Sequence, residues 1–251
     1  MVGTGIKLVG QTTVEALACL QQAEKLLYLV TDPTTEAWIR RLNPTAESLE
    51  DCYAEGKSRV RTYQDMTARI MAAVRSGQEV CAAFYGHPGV FVSASHASIR
   101  RARQEGFSAR MLPGISAEDC LVADLGVDPG EVGCQSFEAT DFLICRRKFD
   151  PSSSLILWQV GVLGESRVKK GRACRPERLE VLTGRLRRHY PARHRVVLYE
   201  AAQFPICDPV ITRISLAKLP QQTVWPMTTL YVPPKPSRVE DLRVLRWLDE
   251  S

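Results

Sequence analysis

Three short stretches hold residues whose types and spacing could do chemistry. In CYAEGKSRVRTYQDM, Tyr53, Lys57, Arg59 and Tyr63 crowd together, and Arg59 and Tyr63 stand four apart. On a helix that spacing puts both on one face, where a guanidinium beside a phenol favours the phenolate. The plainer account is an exposed arginine beside a half-buried tyrosine. In Tyr85-Gly86-His87-Pro88-Gly89-Val90-Phe91, two glycines and a proline follow an apolar run. Open α/β sheets bind ligands at the carboxyl ends of their strands, and glycines there let backbone approach closely. Pro113-Gly114-Ile115-Ser116-Ala117-Glu118 is a second turn of this kind, with Ser116 placed to cap a helix. Gly3-x-Gly5 is weaker. Position 8 is leucine, so the dinucleotide fingerprint fails although Asp32 follows the second apolar run, and a tight turn accounts for the two glycines.

These stretches need a scaffold, and the first half supplies the pattern of a parallel sheet flanked by helices. A strand ends at Val2-Gly3, a helix runs from about Thr12 to Ala23, and Leu26 to Val30 is a buried strand. Thr31 or Asp32 then caps a helix whose first turn holds Pro33, where a missing N–H costs nothing. A helix over Arg61 to Arg75, a strand over Glu79 to Phe84, a helix over Ser95 to Glu105 and a strand over Ser108 to Leu112 complete a domain spanning 1–112. The second domain, 113–251, is expected to hold a helix over Ala117 to Leu125 and strands at Ser136 to Glu138, Leu155 to Val160, Arg195 to Tyr199 and Thr228 to Val232. A closing helix covers Val239 to Leu248. Gly164 to Pro176 lacks apolar periodicity and reads as a mobile loop.

With 45% hydrophobic and 24% charged residues, the composition is that of a globular protein, and no stretch approaches the ~18 apolar residues of a spanning helix. No signal peptide is evident, so a cytoplasmic protein without a membrane partner is expected. The net charge of +5 is local: Ser166 to Arg188 carries +7 and the rest −2. Only Tyr190 lies near those arginines as a stacking group, and Arg178 to Arg188 puts Leu179, Leu182 and Leu186 on one helix face, which argues against nucleic acid. A basic binding protein that does no chemistry stays as one alternative. Eight scattered cysteines form no CxxC pair and no cluster with histidine, so no metal site is expected and a reducing compartment is indicated.

Taken together, the first GTG, the glycine turn, PGISA and the late TTLYVPP strand resemble the tetrapyrrole-methylase superfamily of S-adenosylmethionine-dependent methyltransferases. Within it, YGHPGVF, RMLPGISAEDCLVADLGVDPG, GCQSFEATDFLI and YAEGKSRVRTY resemble the borosin peptide-backbone α-N-methyltransferases, essentially from Val2 to Pro234. Tetrapyrrole enzymes usually show GDP where this chain has Gly86-His87-Pro88. The resemblance implies an α/β fold of two αβα domains with S-adenosylmethionine in the cleft between them and S-adenosylhomocysteine as product. Its cofactor contacts fall on Tyr85, His87, Val90, Phe91, Ser116, Ala117, Gln159, Tyr199, Ala201, Thr228 and Thr229, and its catalytic group on Arg59, Tyr63 and Tyr85 with Tyr53 close by. An aromatic face near a sulfonium is worth ~0.5–2 kcal/mol.

The chemistry explains these residue types. An amide nitrogen has its lone pair delocalised into the carbonyl, so methylation requires loss of the N–H proton and stabilisation of the imidate oxygen. By resemblance Tyr63 is the general base, and Arg59 or Tyr53 donates to the oxyanion. Some members carry an aromatic where this chain has Glu50. Fungal members continue into their own substrate peptide, whereas this sequence ends shortly after Pro233-Pro234 and one helix. The expectation is therefore a split enzyme acting in trans on a separate precursor peptide, as a homodimer joined by two precursor chains. A small-molecule methyltransferase acting on a tetrapyrrole is the rival within the superfamily.

Overall fold

The computed structural model describes residues 1–169, 171–236 and 241–249. The chain forms two compact units. The first comprises Met1–Val127, Glu165–Arg172 and Glu200–Val210; the second comprises Asp128–Gly164, Ala173–Tyr199 and Ile211–Ser251.

The first unit is built on four parallel strands, β1 (Val2–Gly3), β2 (Lys25–Leu29), β3 (Glu47–Ser48) and β4 (Val80–Phe84), in the order β1-β4-β2-β3. Five helices accompany them: α1 (Val14–Gln22), α2 (Pro33–Leu42), α3 (Arg59–Arg75), α4 (Ser93–Gln104) and α5 (Ala117–Leu125). Successive side chains of a strand point to opposite faces, so a sheet covered on both sides needs an unbroken apolar run. Leu26 and Tyr28 join Leu20 of α1 and Ile39 of α2 on one face, while Leu27, Ala82 and Phe84 join Met66 and Ile70 of α3 on the other. Burying each such side chain is worth about 1.5–3 kcal/mol. The expected caps form: the Asp32 side chain accepts from Thr35 N–H ahead of Pro33, and Thr13 accepts from Ala16 N–H. Residues 108–112 depart from expectation. They form no strand; their backbone links to the chain start through Leu112 N–H to Met1 O (2.9 Å) and the Met1 amine to Arg110 O (2.8 Å). The apolar content of that stretch is too thin to bury a strand on both faces, since only Leu112 is buried.

In the second unit α6 (Pro129–Val132), β5 (Cys134–Glu138), α7 (Ala139–Ile144), β6 (Ser154–Trp158), α8 (Pro176–Leu186), β7 (Arg195–Glu200), β8 (Val210–Ser215), β9 (Thr229–Val232) and α9 (Leu242–Asp249) follow in order. The sheet order is β5-β6-β9-β7-β8, with β5 parallel to β6 and β9 antiparallel to both β6 and β7. Its core gathers Phe142, Leu155, Leu157, Leu198, Leu230 and Val232 with Leu179, Leu182 and Leu186, the three leucines that the periodicity of α8 turns inward. Val160 belongs to a 3-10 turn (Val160–Val162) and not to the strand before it. Val239, the expected start of the last helix, lies outside the described residues, as does Lys170 of the basic segment.

Candidate active site

Tyr53 follows a 3-10 turn (Glu50–Cys52), and Arg59 opens α3, so Arg59 and Tyr63 do share a helix one turn apart. The intervening loop is stapled by Lys57, whose ammonium donates to Cys52 O (2.6 Å) and pairs with Asp65 (2.8 Å), itself 3.1 Å from Arg61. The Lys57 hydrogen bond holds the Asp65 carboxyl below its ordinary range. Tyr53 and Tyr63 both pack against the core under β4. Burial, and then the neighbouring Tyr63, push the Tyr53 phenol up while Arg59 pulls it down; the net direction is up. Tyr53 is thus a neutral hydroxyl near neutral pH, suited to donating a hydrogen bond and unsuited to taking a proton. The Arg59 Nε is buried and has no hydrogen-bond partner among the described residues. A buried donor left unmatched costs ~1–3 kcal/mol and calls for a partner.

The first turn of a helix leaves N–H groups unpaired, and Ser58, at the N-cap of α3, supplies no side-chain cap. The backbone of residues 165–168 supplies one. Arg59 N–H donates to Ser166 O (3.1 Å), Val168 N–H to Lys57 O (2.8 Å) and Gly56 N–H to Val168 O (2.9 Å), and Ser58 faces Arg167 in an antiparallel bridge. This corrects, for residues 165–168, the expectation of a mobile loop from Gly164 to Pro176. Val168 is 5% exposed, and its stretch forms a ribbon with the entry to α3. Periodicity missed it because two or three paired residues with one buried side chain carry no repeat to detect.

Tyr85 leaves β4 with its N–H on Leu29 O (3.0 Å), and Gly86 bridges Gly5 by N–H to Gly5 O (2.9 Å) and the return bond from Gly5 N–H (3.3 Å). A Cβ on Gly3 would lie 2.1 Å from Gly86 O, so the two glycine turns press backbone on backbone. The His87 ring closes its own turn: Nδ1 accepts from Gly89 N–H (2.9 Å), so a neutral ring carries its proton on Nε2. Val90 and Phe91 are exposed, and Phe91 holds φ of 57°. Left-handed backbone in a bulky residue is strained and persists where surrounding structure enforces it. Tyr85 sits among Gln203, Cys120 and Asp32, and burial pushes its hydroxyl up although Gln203 pulls the other way. Gln203 had no motif to reveal it.

Ser116 is the N-cap of α5 in a full capping box. Its hydroxyl donates to Asp119 (2.6 Å) and accepts from the N–H groups of Glu118 and Asp119. That hydroxyl is engaged in holding the helix, which leaves the turn's backbone and Ala117 to face a ligand. Residues Gln11, Thr12, Asp119 and Cys120 line a cavity of about 560 Å³ in this unit; Tyr53, Arg59 and Tyr63 are not among its lining.

In the second unit, Gln159, Tyr199, Thr228 and Thr229 lie at one end of the three interior strands of the sheet. Tyr199 pairs with Thr229 across β7 and β9, and Leu157 with Leu230 across β6 and β9, so the ends of β6 and β7 meet the start of β9. Gln159 has φ of 57°, and Gly161 packs so tightly that a Cβ there would lie 1.8 Å from Trp225 O. The Thr228 hydroxyl accepts from Trp225 N–H (3.0 Å). Ala201 lies just past β7, in the segment 200–210 that belongs to the first unit.

Two α/β units, with glycine turns and candidate residues at the carboxyl ends of a parallel sheet in the first, define an α/β enzyme class with ligand sites at strand ends. Residues 1–205 match the model for Tetrapyrrole (Corrin/Porphyrin) Methylases, and the chain belongs to that family. It is 43% identical over 99% of its length to the methyltransferase/ribosomally synthesized cyclic peptide omphalotin A precursor of Omphalotus olearius, covering 60% of that protein. A type I borosin cyclic peptide precursor of Coprinopsis marcescibilis is 42% identical over 94% of this chain, with 61% of it covered. The chain thus spans about three-fifths of these relatives. Uroporphyrin-III-C-methyltransferase from Thermus thermophilus shares the fold, with a TM-score of 0.63 at 19% identity and 92% of each chain covered. The α/β class expected from the sequence holds.

Proposed function

We propose that this chain is an S-adenosylmethionine-dependent methyltransferase that places methyl groups on backbone amide nitrogens of a peptide. The observation that carries this reading is Arg59: its buried, unpartnered Nε stands at the start of α3 beside a neutral Tyr53, one turn from Tyr63. Methylating an amide nitrogen needs such a donor pair for the imidate oxygen and an oxygen base for the N–H proton. The names of the relatives, which pair a methyltransferase with a cyclic peptide precursor, support it.

The residues present fit the cofactor. The partly exposed backbone of Gly89 and Gly114 and the exposed Val90 and Phe91 offer polar groups beside apolar and aromatic surface, which suits an adenosyl group and a sulfonium. Tyr85, His87, Val90, Phe91, Ser116, Ala117 and Ala201 of the first unit would hold it. When bound, it supplies an electrophilic methyl group. Arg59 and Tyr53 then hold the peptide carbonyl oxygen, Tyr63 removes the amide proton, and Tyr85 helps to orient the reacting groups. One oxyanion donor contributes ~3–4 kcal/mol.

The peptide is proposed to be a separate chain, whereas the names of the relatives join methyltransferase and precursor in one protein. A homodimer with two peptide chains is proposed with it, supported by α9, whose Leu242, Leu245 and Leu248 are all exposed. Eight free thiols suit a reducing cytoplasm; among the described residues no helix is long and apolar enough to cross a membrane.

The test is to incubate the chain with S-adenosylmethionine and a synthetic peptide carrying the core segment of the omphalotin A precursor, then fragment the product by tandem mass spectrometry. Methyl increments on backbone nitrogens are expected. Increments confined to side chains, or transfer to uroporphyrinogen in place of the peptide, overturn the reading.

A further inference from the structure

We propose that the ribbon formed by residues 56–59 and 165–168, with Lys169 and Arg172 just beyond it in sequence, is a docking surface for an acidic segment of the peptide substrate. The inference rests on the reading of the chain as a peptide methyltransferase and adds where, and by what chemistry, the substrate is gripped outside the reacting amide. Side chains alternate along a strand. Val168 points inward and is buried, whereas Arg167 is exposed and Lys169 is partly exposed. Arg172 follows, also exposed. On the facing strand and the first turn of α3 stand Lys57, Arg59 and Arg61.

The charges that could cancel these are few. Asp65 pairs with Lys57 and Arg61, and Glu165 pairs with Lys169 at 2.9 Å; Glu55 is the remaining acid on this ribbon. Among the described residues of 55–61 and 165–172, taken with Asp65, six basic side chains stand against three acidic ones. The Arg167 guanidinium donates to the backbone carbonyl of Gly56 (2.9 Å), a neutral acceptor that leaves its charge uncompensated by that contact. Residues 166–188, which begin on this ribbon and run on past it, carry +7 against −2 for the rest of the chain, so the basic excess is local.

The partner is a carboxylate-rich peptide for two reasons. Residues 165–172 contain no aromatic side chain, so the ribbon lacks the stacking surface with which single-stranded nucleic acid is held. The ribbon is also wired to the candidate chemistry: Ser166 O accepts the N–H of Arg59, so a group docked on Arg167 binds one residue from the bond that caps α3. A substrate held there by its charges has its neighbouring residues tethered near Tyr53, Arg59 and Tyr63, which raises their local concentration without further contacts.

The experiment uses the whole chain and two fluorescein-labelled peptides, one alternating Glu and Ser, the other Gln and Ser, read by anisotropy with no methyl donor present. Binding is therefore scored whether or not methyl transfer occurs, and failure here is separable from failure of the enzymatic reading. The Glu peptide is expected to bind at least about tenfold more tightly than the Gln peptide at low salt and to lose that advantage as salt rises through the physiological range. Replacing Arg167, Lys169 and Arg172 together by Gln is expected to remove it. The charge-reversed variant R167E/K169E/R172E is expected to prefer a Lys-Ser peptide, a gain that misfolding cannot mimic. Equal affinity for the Glu and Gln peptides, no change in either variant, or displacement of the Glu peptide by polyuridylate at equal charge overturns the proposal.

Discussion

Replacing Gly3 by alanine tests how the two glycine turns of the first unit are held together. Gly3 has an ordinary backbone conformation, so alanine brings no dihedral strain, and the whole effect must come from one methyl group. That methyl would lie 2.1 Å from Gly86 O, 3.2 Å from Gly86 C and 2.9 Å from the Pro88 ring. Ordinary contact begins near 3.4 Å, so Gly86 must retreat by more than an ångström, and its neighbours are backbone rather than a flexible side-chain tip. Such a shift breaks the paired bonds between Gly5 and Gly86 and drags Tyr85 and His87 with them. Overpacking of this kind costs ~1–3 kcal/mol, and the rigid partner puts Gly3→Ala at the upper end. For a chain of this size about 3 kcal/mol lowers the melting temperature by ~6–12 °C. Gly184→Ala is the matched control. It lies inside α8 with nothing within 4 Å of the added carbon and should raise stability by ~0.5–1 kcal/mol. Calorimetry at one scan rate measures both variants, and hydrogen exchange at the Gly5 and Gly86 amides locates the damage. Melting of Gly3→Ala within about 1 °C of the parent would show that the turns are not pressed together as described.

Tyr63→Phe should abolish methyl transfer while leaving cofactor affinity, measured by titration calorimetry, unchanged; near-normal turnover removes Tyr63 as the base. Arg59→Lys keeps the charge but loses the Nε donor and the planar fork, so single-turnover rates should fall ~100-fold or more, and a loss under about threefold excludes Arg59 as an oxyanion donor. Glu105 ties α4 to α3 through a bidentate pair with Arg75 (2.5 and 2.7 Å), which holds its carboxyl down at about 2. Because its folded value is depressed, its contribution is present above the ordinary range near 4.5 and is lost as pH falls toward about 2. The stability difference between the parent and Glu105→Gln, followed by denaturant titration, should shrink over that window; a difference that stays constant across it contradicts the pairing.

Much of the first unit is legible from short stretches. The unbroken apolar run of Leu26, Leu27 and Tyr28 marks a strand buried on both faces, Asp32 before Pro33 marks a helix start, and Ser116 with Asp119 three residues on marks another. The four-residue spacing of Arg59 and Tyr63 becomes meaningful because α3 does begin at Arg59. Other features had no local sign. Strands β3 and β8 are short or largely exposed and offer no apolar run, and residues 108–112 look like a strand yet bond to Met1 and the Arg103 side chain in place of a sheet neighbour. The Ser116 hydroxyl forms the helix cap that its position suggests, and the same residue type also suits a ligand contact, so a motif by itself does not separate the two tasks.

What the sequence determined by itself is the kind of chemistry and the elements that carry it: phenols and a guanidinium at helical spacing, glycine turns after apolar runs, and caps where helices begin. These depend on interactions within a few residues, and composition and period reveal them. Only the tertiary structure decided what completes the start of α3. Ser58 leaves it without a side-chain cap, and the acceptor for Arg59 N–H comes from Ser166, more than a hundred residues along the chain. A hydrogen bond between backbones places no demand on side-chain type, so no pattern in the sequence marks it. Yet it fixes the helix turn on which Arg59 stands and turns a basic stretch that looked like a free loop into part of the candidate site.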